Sequence, residues 1–165
     1  MRRRPSLRGP GAVACLVAGL LASGCSGSAP GTADLDAPAV SGADRRTCAA
    51  LVDALPDRVA DQPARDVEGT GYAAAWGDPA IELRCGVPRP AGFEDFAQCQ
   101  NANGVDWYIP TSQLDGEPTD ITMTVVGRAT YVEVRLPERY WPPVTAMVDL
   151  GGAVKRTDRK VRPCL

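Results

Sequence analysis

Cys48, Leu51, Val52, Leu55 and Val59 recur at the spacing of one helical face. Asp44 stands before them as an N-cap, and Pro56 predicts an end or kink near Leu55. Further on the period changes to two. Ile81, Leu83, Cys85 and Val87 alternate with Glu82, Arg84 and Gly86, which predicts a strand with one buried face. Tyr72–Trp76 runs up to Gly77-Asp78-Pro79, a reversal that sets it beside that strand. Val105, Trp107 and Ile109 predict another strand. Ile121, Met123 and Val125, then Gly127-Arg128, then Val132, Val134 and Leu136 predict a hairpin. After Pro142-Pro143, the residues Val144, Met147 and Val148 predict a short helix stopped by Gly151-Gly152. The expected fold is α+β. About five mostly antiparallel strands form one sheet, with helices near the N- and C-terminal ends of the domain.

The N-terminus has no such periodicity. MRRRPSLR is followed by an apolar run from Gly9 to Ala22 and then by Leu21-Ala22-Ser23-Gly24-Cys25. A basic start, a short apolar middle and small residues before a cut site predict an export signal over residues 1–24. The apolar run is short for a bilayer core of about 30 Å. Small residues directly before a cysteine resemble the bacterial lipobox. That resemblance implies acylation of Cys25, cleavage before it, and anchorage to membrane lipid on the extracytoplasmic face of the cell membrane. Two or more acyl chains hold a protein stably on a bilayer, each buried methylene contributing about 0.8 kcal/mol. Residues 26–44 are small, polar and broken by Pro and Gly, so residues 25–44 are expected to be a lipidated cysteine and flexible tether, with a reach of about 25 Å. Residues 45–165 are the expected single domain.

Composition narrows the chemistry. The chain has 165 residues, which suits one domain, and 44% are apolar, enough for a core. It has no histidine, which excludes imidazole bases and His-ligated metal sites. Loss of the four arginines of residues 1–24 leaves fourteen cations against twenty acids, a net charge of −6. That balance argues against nucleic acid as a partner. No S-x-x-K, G-x-x-x-x-G-K-[ST] or G-x-G-x-x-G motif is present.

Four domain cysteines, Cys48, Cys85, Cys99 and Cys164, form an even set in an exported chain and predict two disulfides. Three pairings are open. The preferred one is Cys85–Cys99, across two neighbouring strands, with Cys48–Cys164, from the first helix to the chain end. The spacings contain no C-x-x-C pair, so neither zinc nor redox chemistry is expected, and neither is any cofactor.

The remaining candidates are contacts. Trp76, Asp78, Trp107 and Tyr108 are candidate ligand or partner contacts, set against a core role for the tryptophans. Tyr140-Trp141-Pro142-Pro143 is either an exposed partner surface or a packed helix entry, the second being preferred. Lys155, Arg156, Arg159, Lys160 and Arg162 form a basic tail. If Cys48–Cys164 forms, that tail lies at the root of the tether and could face anionic headgroups, set against the preferred reading of a solvated tail segment. Glu94 with Asp95, or Asp115, Glu117 and Asp120, are the carboxylates from which a hydrolase would be built, although solvated loop charges are the preferred reading of them.

Several stretches together carry a family resemblance. They are Cys48-Ala49-Ala50-Leu51 with Leu55-Pro56, Ala75-Trp76-Gly77-Asp78-Pro79-Ala80-Ile81 and Leu83-Arg84-Cys85-Gly86-Val87-Pro88. They continue as Asn103-Gly104-Val105-Asp106-Trp107, Val126-Gly127-Arg128, Tyr131-Val132-Glu133-Val134 and Val161-Arg162-Pro163-Cys164. Over residues 47–164 the chain resembles an actinobacterial family of envelope proteins, the domain of unknown function 3515. The resemblance implies an exported, lipoprotein-like domain and carries over no catalytic residue. The expectation is a non-enzymatic binding domain whose partner is an envelope protein or small molecule. A carboxylate hydrolase and a purely structural envelope protein are the alternatives.

Overall fold

The structure is a computed structural model that describes residues 31–164. The expected signal segment and Cys25 lie outside the described residues. Two helices pack on one face of an eight-stranded sheet. The helices are α1 (Gly42–Ala54) and α2 (Val144–Thr157). The sheet contains β2 (Arg58–Val59), β3 (Gln62–Arg65), β5 (Ala73–Trp76), β6 (Ile81–Cys85), β7 (Gln100–Ala102), β8 (Val105–Tyr108), β9 (Ile121–Val126) and β10 (Val132–Leu136). Its order is β2-β3-β5-β6-β10-β9-β8-β7, antiparallel throughout. Two more strands, β1 (Ala33–Asp34) and β4 (Val67–Glu68), pair in parallel apart from it.

Alternation decides which side chains enter the core. Ile81, Leu83 and Cys85 of β6 are buried while Glu82 and Arg84 are not, and Val132, Val134 and Leu136 repeat this on β10. Their shared face meets Leu51 of α1 and Met147, Leu150 and Val154 of α2. Burial of such side chains stabilises the fold by roughly 1.5–3 kcal/mol each.

The sheet has eight strands rather than five. The additional strands β2, β3 and β7 are two to four residues long and largely polar, so they show no period. Their backbone pairing holds them. Helix α1 begins after Ser41, three residues before the expected cap. Val59, expected on its face, is buried in β2. Helix α2 runs through Gly151-Gly152 because its buried face continues to Val154. A Cβ on Gly151 would be in ordinary contact with Asn103 and Val105, 3.6–3.7 Å away, so the helix approaches β7 and β8 closely there.

Residues 31–44 are not the free tether expected of them. Ala33 and Leu35 are buried against Ala75, with Val67, Ala73 and Ala80 around them. Leu35 N donates to Glu68 O and Ala37 N to Thr70 O, both at 2.8 Å. Thr70 N and Oγ1 donate to Asp36, which lowers that carboxyl's pKa.

The disulfides are Cys48–Cys85 and Cys99–Cys164, which corrects the expected pairing. Cys85 ends β6, whereas Cys99 precedes β7, and β10, β9 and β8 lie between those strands. Four strand spacings are about 19 Å, beyond the roughly 7 Å limit for bridged Cα atoms. Cys48 is on the helix-covered face. Cys164 packs on the other face, with Phe93, Tyr108 and Val126. The sheet therefore separates Cys48 from Cys164.

Candidate functional site

The sequence candidates do not converge. Trp76 and Trp107 are both in the core. Trp76 Nε1 donates to Pro56 O at 3.0 Å, while Trp107 Nε1 is buried without a partner among the described residues. Tyr108 points to the opposite face, under the loop 88–97, where its ring meets Phe93 at 5.3 Å and its hydroxyl donates to Ala91 O. Asp78 is exposed in the β5–β6 turn. Its carbonyl accepts from Arg139 Nη1 at 3.0 Å. Four residues proposed as contacts thus occupy three places.

The basic tail divides as well. Lys155 and Arg156 sit in the last turn of α2, a favourable place for cations. Lys155 Nζ donates to Asn103 Oδ1 at 3.1 Å and Arg156 Nη2 to Ala54 O at 3.2 Å. Arg159, Lys160 and Arg162 follow on an extended segment laid along the β9–β10 turn. Val161 N and Arg162 N both donate to Gly127 O. Gly127 has φ +72°, and a Cβ there would stand 2.3 Å from Arg162 O, so this close approach requires glycine. Below the segment, Asp158 is 2% exposed. Burial raises its pKa, opposed by the bond from Thr130 N and by the Arg128 charge.

The expectation that this tail flanks the tether fails with the Cys48–Cys164 pairing. Gly31 O accepts from Arg65 Nε at 2.6 Å, and Arg65 Nη1 donates to Gly77 O at 2.9 Å. The chain therefore arrives beside the β5–β6 turn. That turn precedes β6, the β9–β10 turn precedes β10, and the two strands are antiparallel. The start of the described chain and the basic tail are toward opposite ends of the sheet.

Glu82, Asp120 and Arg135 line an open cavity of about 280 Å³ on the face away from the helices. Both carboxylates are already used as acceptors or ion-pair partners. Glu82 lies 2.9 Å from Arg84 and 3.9 Å from Arg135, and Asp120 Oδ1 accepts from Glu138 N at 2.9 Å. Glu94, Asp115 and Glu117 are exposed on loops, as is Asp95, 3.8 Å from Arg162. Among the described residues no group of three Cys, Asp or Glu side chains is placed to hold a metal ion.

A different surface has the character of a binding site. Pro142-Pro143 leads into α2, where proline suits the unpaired first turn, and Met147 N donates to Pro143 O. Only one stripe of α2 turns inward. Trp141, Val144 and Val148 remain 38%, 50% and 45% exposed. With Ile109, Leu114 and Met147 they border a largely apolar cleft of about 270 Å³, except Val148, which extends it along the helix. Its other wall is β7, the last strand of the sheet, paired only with β8 among the described residues. An apolar cleft beside a free strand edge offers side-chain and main-chain recognition together. The stretch 140–143 was legible as a candidate surface. The outward turn of Val144 and Val148 was not legible, because helical spacing alone does not say which stripe faces in.

A family model described as a protein of unknown function (DUF3515) matches residues 10–162. Neither the curated proteins nor the solved structures gave a match.

Proposed function

The chain belongs to the DUF3515 family, whose description assigns no activity, and from the residues themselves we propose a lipoprotein that works by binding. Acylated Cys25 fixes it to the extracytoplasmic face of the cell membrane. The folded part then recognises another envelope protein through the cleft between α2 and the edge of β7. The export-type N-terminus ending at Cys25 supports the location. So do the two disulfides, which form in oxidising compartments.

The observation that carries the binding reading is the exposed Trp141, Val144 and Val148 beside a strand edge that is unpaired among the described residues. Large apolar side chains gathered on a surface mark interaction sites, and tryptophan is enriched where binding energy concentrates. The test places a photo-crosslinking residue at Val144 of the acylated protein in living cells, with exposed Glu68 as control. The expected result is a discrete protein adduct from 144 that is absent from 68 and lost on Trp141→Ala. Identical adducts from both positions, or none from 144, would overturn it. The anchor has its own test. Cys25→Ala should abolish palmitate labelling and membrane fractionation, and unchanged fractionation would sink that part of the reading.

A further inference from the structure

Two groups of segments at opposite ends of the sheet differ in charge. At the tether end, the turns at 57–61, 77–80, 115–120 and 137–139 carry seven exposed acids against two exposed arginines. At the other end, three segments distant in sequence meet. Thr130 Oγ1 donates to Asp44 Oδ1 at 2.9 Å, which sets the first turn of α1, with Arg45 and Arg46, against the β9–β10 turn. Ala129 N donates to Arg159 O at 2.9 Å, and Arg128 bridges to Lys160. Arg45, Arg46, Arg159 and Lys160 are all exposed, and none has an ion-pair partner among the described residues. Of the acids on these segments, Asp158 is buried and Asp44 is bonded to Thr130. Ser41 makes no side-chain cap, so the positive end of the 13-residue α1 adds to the same field.

We infer that this basic end is a docking surface for a linear polyanion of the cell envelope, a polymer bearing repeated phosphate or carboxylate groups. The cations are spread across one end and do not converge on a cavity, which suits repeated charges better than a single small anion. Three of the four exposed cations are arginines, whose planar forks match phosphate and carboxylate oxygens.

The polymer, rather than the anchoring bilayer, is the occupant on grounds of length. This step rests on the proposed acylation of Cys25. Six residues from Cys25 to Gly31 reach at most about 21 Å in any conformation. Gly31 lies against Arg65, whose level in the sheet runs through Ala75, Glu82 and Arg135 to Thr122; from there to Val126 the sheet spans about 14 Å, to which the β9–β10 turn adds. Turning the basic end onto the bilayer would therefore draw these six residues nearly straight, at a cost in chain entropy that an outward-facing polymer does not impose. Anionic headgroups also repel the acidic end nearest them. The domain stands with its cations outward.

The test uses the acylated protein in phosphatidylcholine vesicles and fluorescent inorganic polyphosphate as the probe. Binding should weaken with salt at a log–log slope of about −3, the value for four or five neutralised charges on a flexible polyanion. Arg45→Gln with Arg46→Gln and Lys160→Gln should reduce affinity at low salt at least tenfold and flatten the slope by about 2. The Arg45→Lys, Arg46→Lys variant should keep the parent's salt slope and lose less affinity than the Gln variant. Both variants should keep both disulfides and the parent's melting transition. Unchanged polyphosphate binding in the Gln variant would overturn the inference. Phosphatidylglycerol added to the same vesicles should leave binding intact, and competition by that lipid would show that the surface lies on the bilayer instead. A protein that does not stay on the vesicles defeats the anchor, while the isotherm of the soluble chain still decides the basic surface.

Discussion

The two disulfides lie on opposite faces of one sheet and sit in different surroundings. Cys48–Cys85 is inside the main core, both residues fully buried, and joins α1 to the centre of the sheet. Cys99–Cys164 is half-buried in a small satellite cluster and ties the chain end to the approach of β7. Loop length alone would rank them almost equally. In the chain-entropy picture, loops of 37 and 65 residues each contribute about 4 kcal/mol. The surroundings break that tie, since removing sulfur from a packed core also leaves a cavity.

The largest effect should follow from Cys48→Ala with Cys85→Ala, a loss of more than about 4 kcal/mol in urea unfolding. Cys99→Ala with Cys164→Ala should lose less, about 2–4 kcal/mol, the closure contribution without a cavity in a packed core. Native-state alkylation in mild reductant should label Cys99 and Cys164 first. Equal losses from the two pairs would mean that loop closure, not burial, sets their worth. A smaller effect sharpens the peripheral half of the comparison. Gly127→Ala should cost about 1–3 kcal/mol through its left-handed backbone and speed amide exchange at Val161 and Arg162, whose donors both end on Gly127 O. Unaltered exchange there would show that the chain end is held by its disulfide alone.

The smallest effect concerns Asp158, between the two regions. Burial raises its folded pKa, so the folded state holds the proton more firmly than the unfolded chain does. Stability from this group is therefore highest below the ordinary carboxylate range and falls as pH rises toward the raised pKa. Asp158→Asn removes that dependence. Melting temperatures measured from about pH 3 to about pH 7 should move in favour of the Asn variant as pH rises. A gap that moves the other way would mean that Thr130 and Arg128 outweigh burial.

The sequence was most legible where a period existed. The alternation in β6, β9 and β10, and the spacing in α1, follow directly from which side chains need a core. Where the backbone alone does the holding, as in Gln62-Pro63-Ala64-Arg65 of β3, nothing in the side chains announces a strand. Pairing failed for a different reason. Cys85 and Cys99 are near in sequence, but the order of strands is set by hairpin connections and by the return of β10 between β6 and β9. The candidate site was half legible. Trp141 stood out as a large aromatic beside two prolines, whereas its setting depends on β7 being last in the sheet, a property of the assembled topology.

The lap of residues 33–40 over the sheet fixes where the domain can be shortened. Leu35 covers Ala75, and Val40 fills the space above Gly86, where a Cβ would come within 2.1 Å of it. A version begun at residue 45 would strip that cover, expose the alanines of β5 and free the Asp36 site that holds Thr70. For this molecule the smallest autonomous piece starts before the first helix, ahead of Ala33.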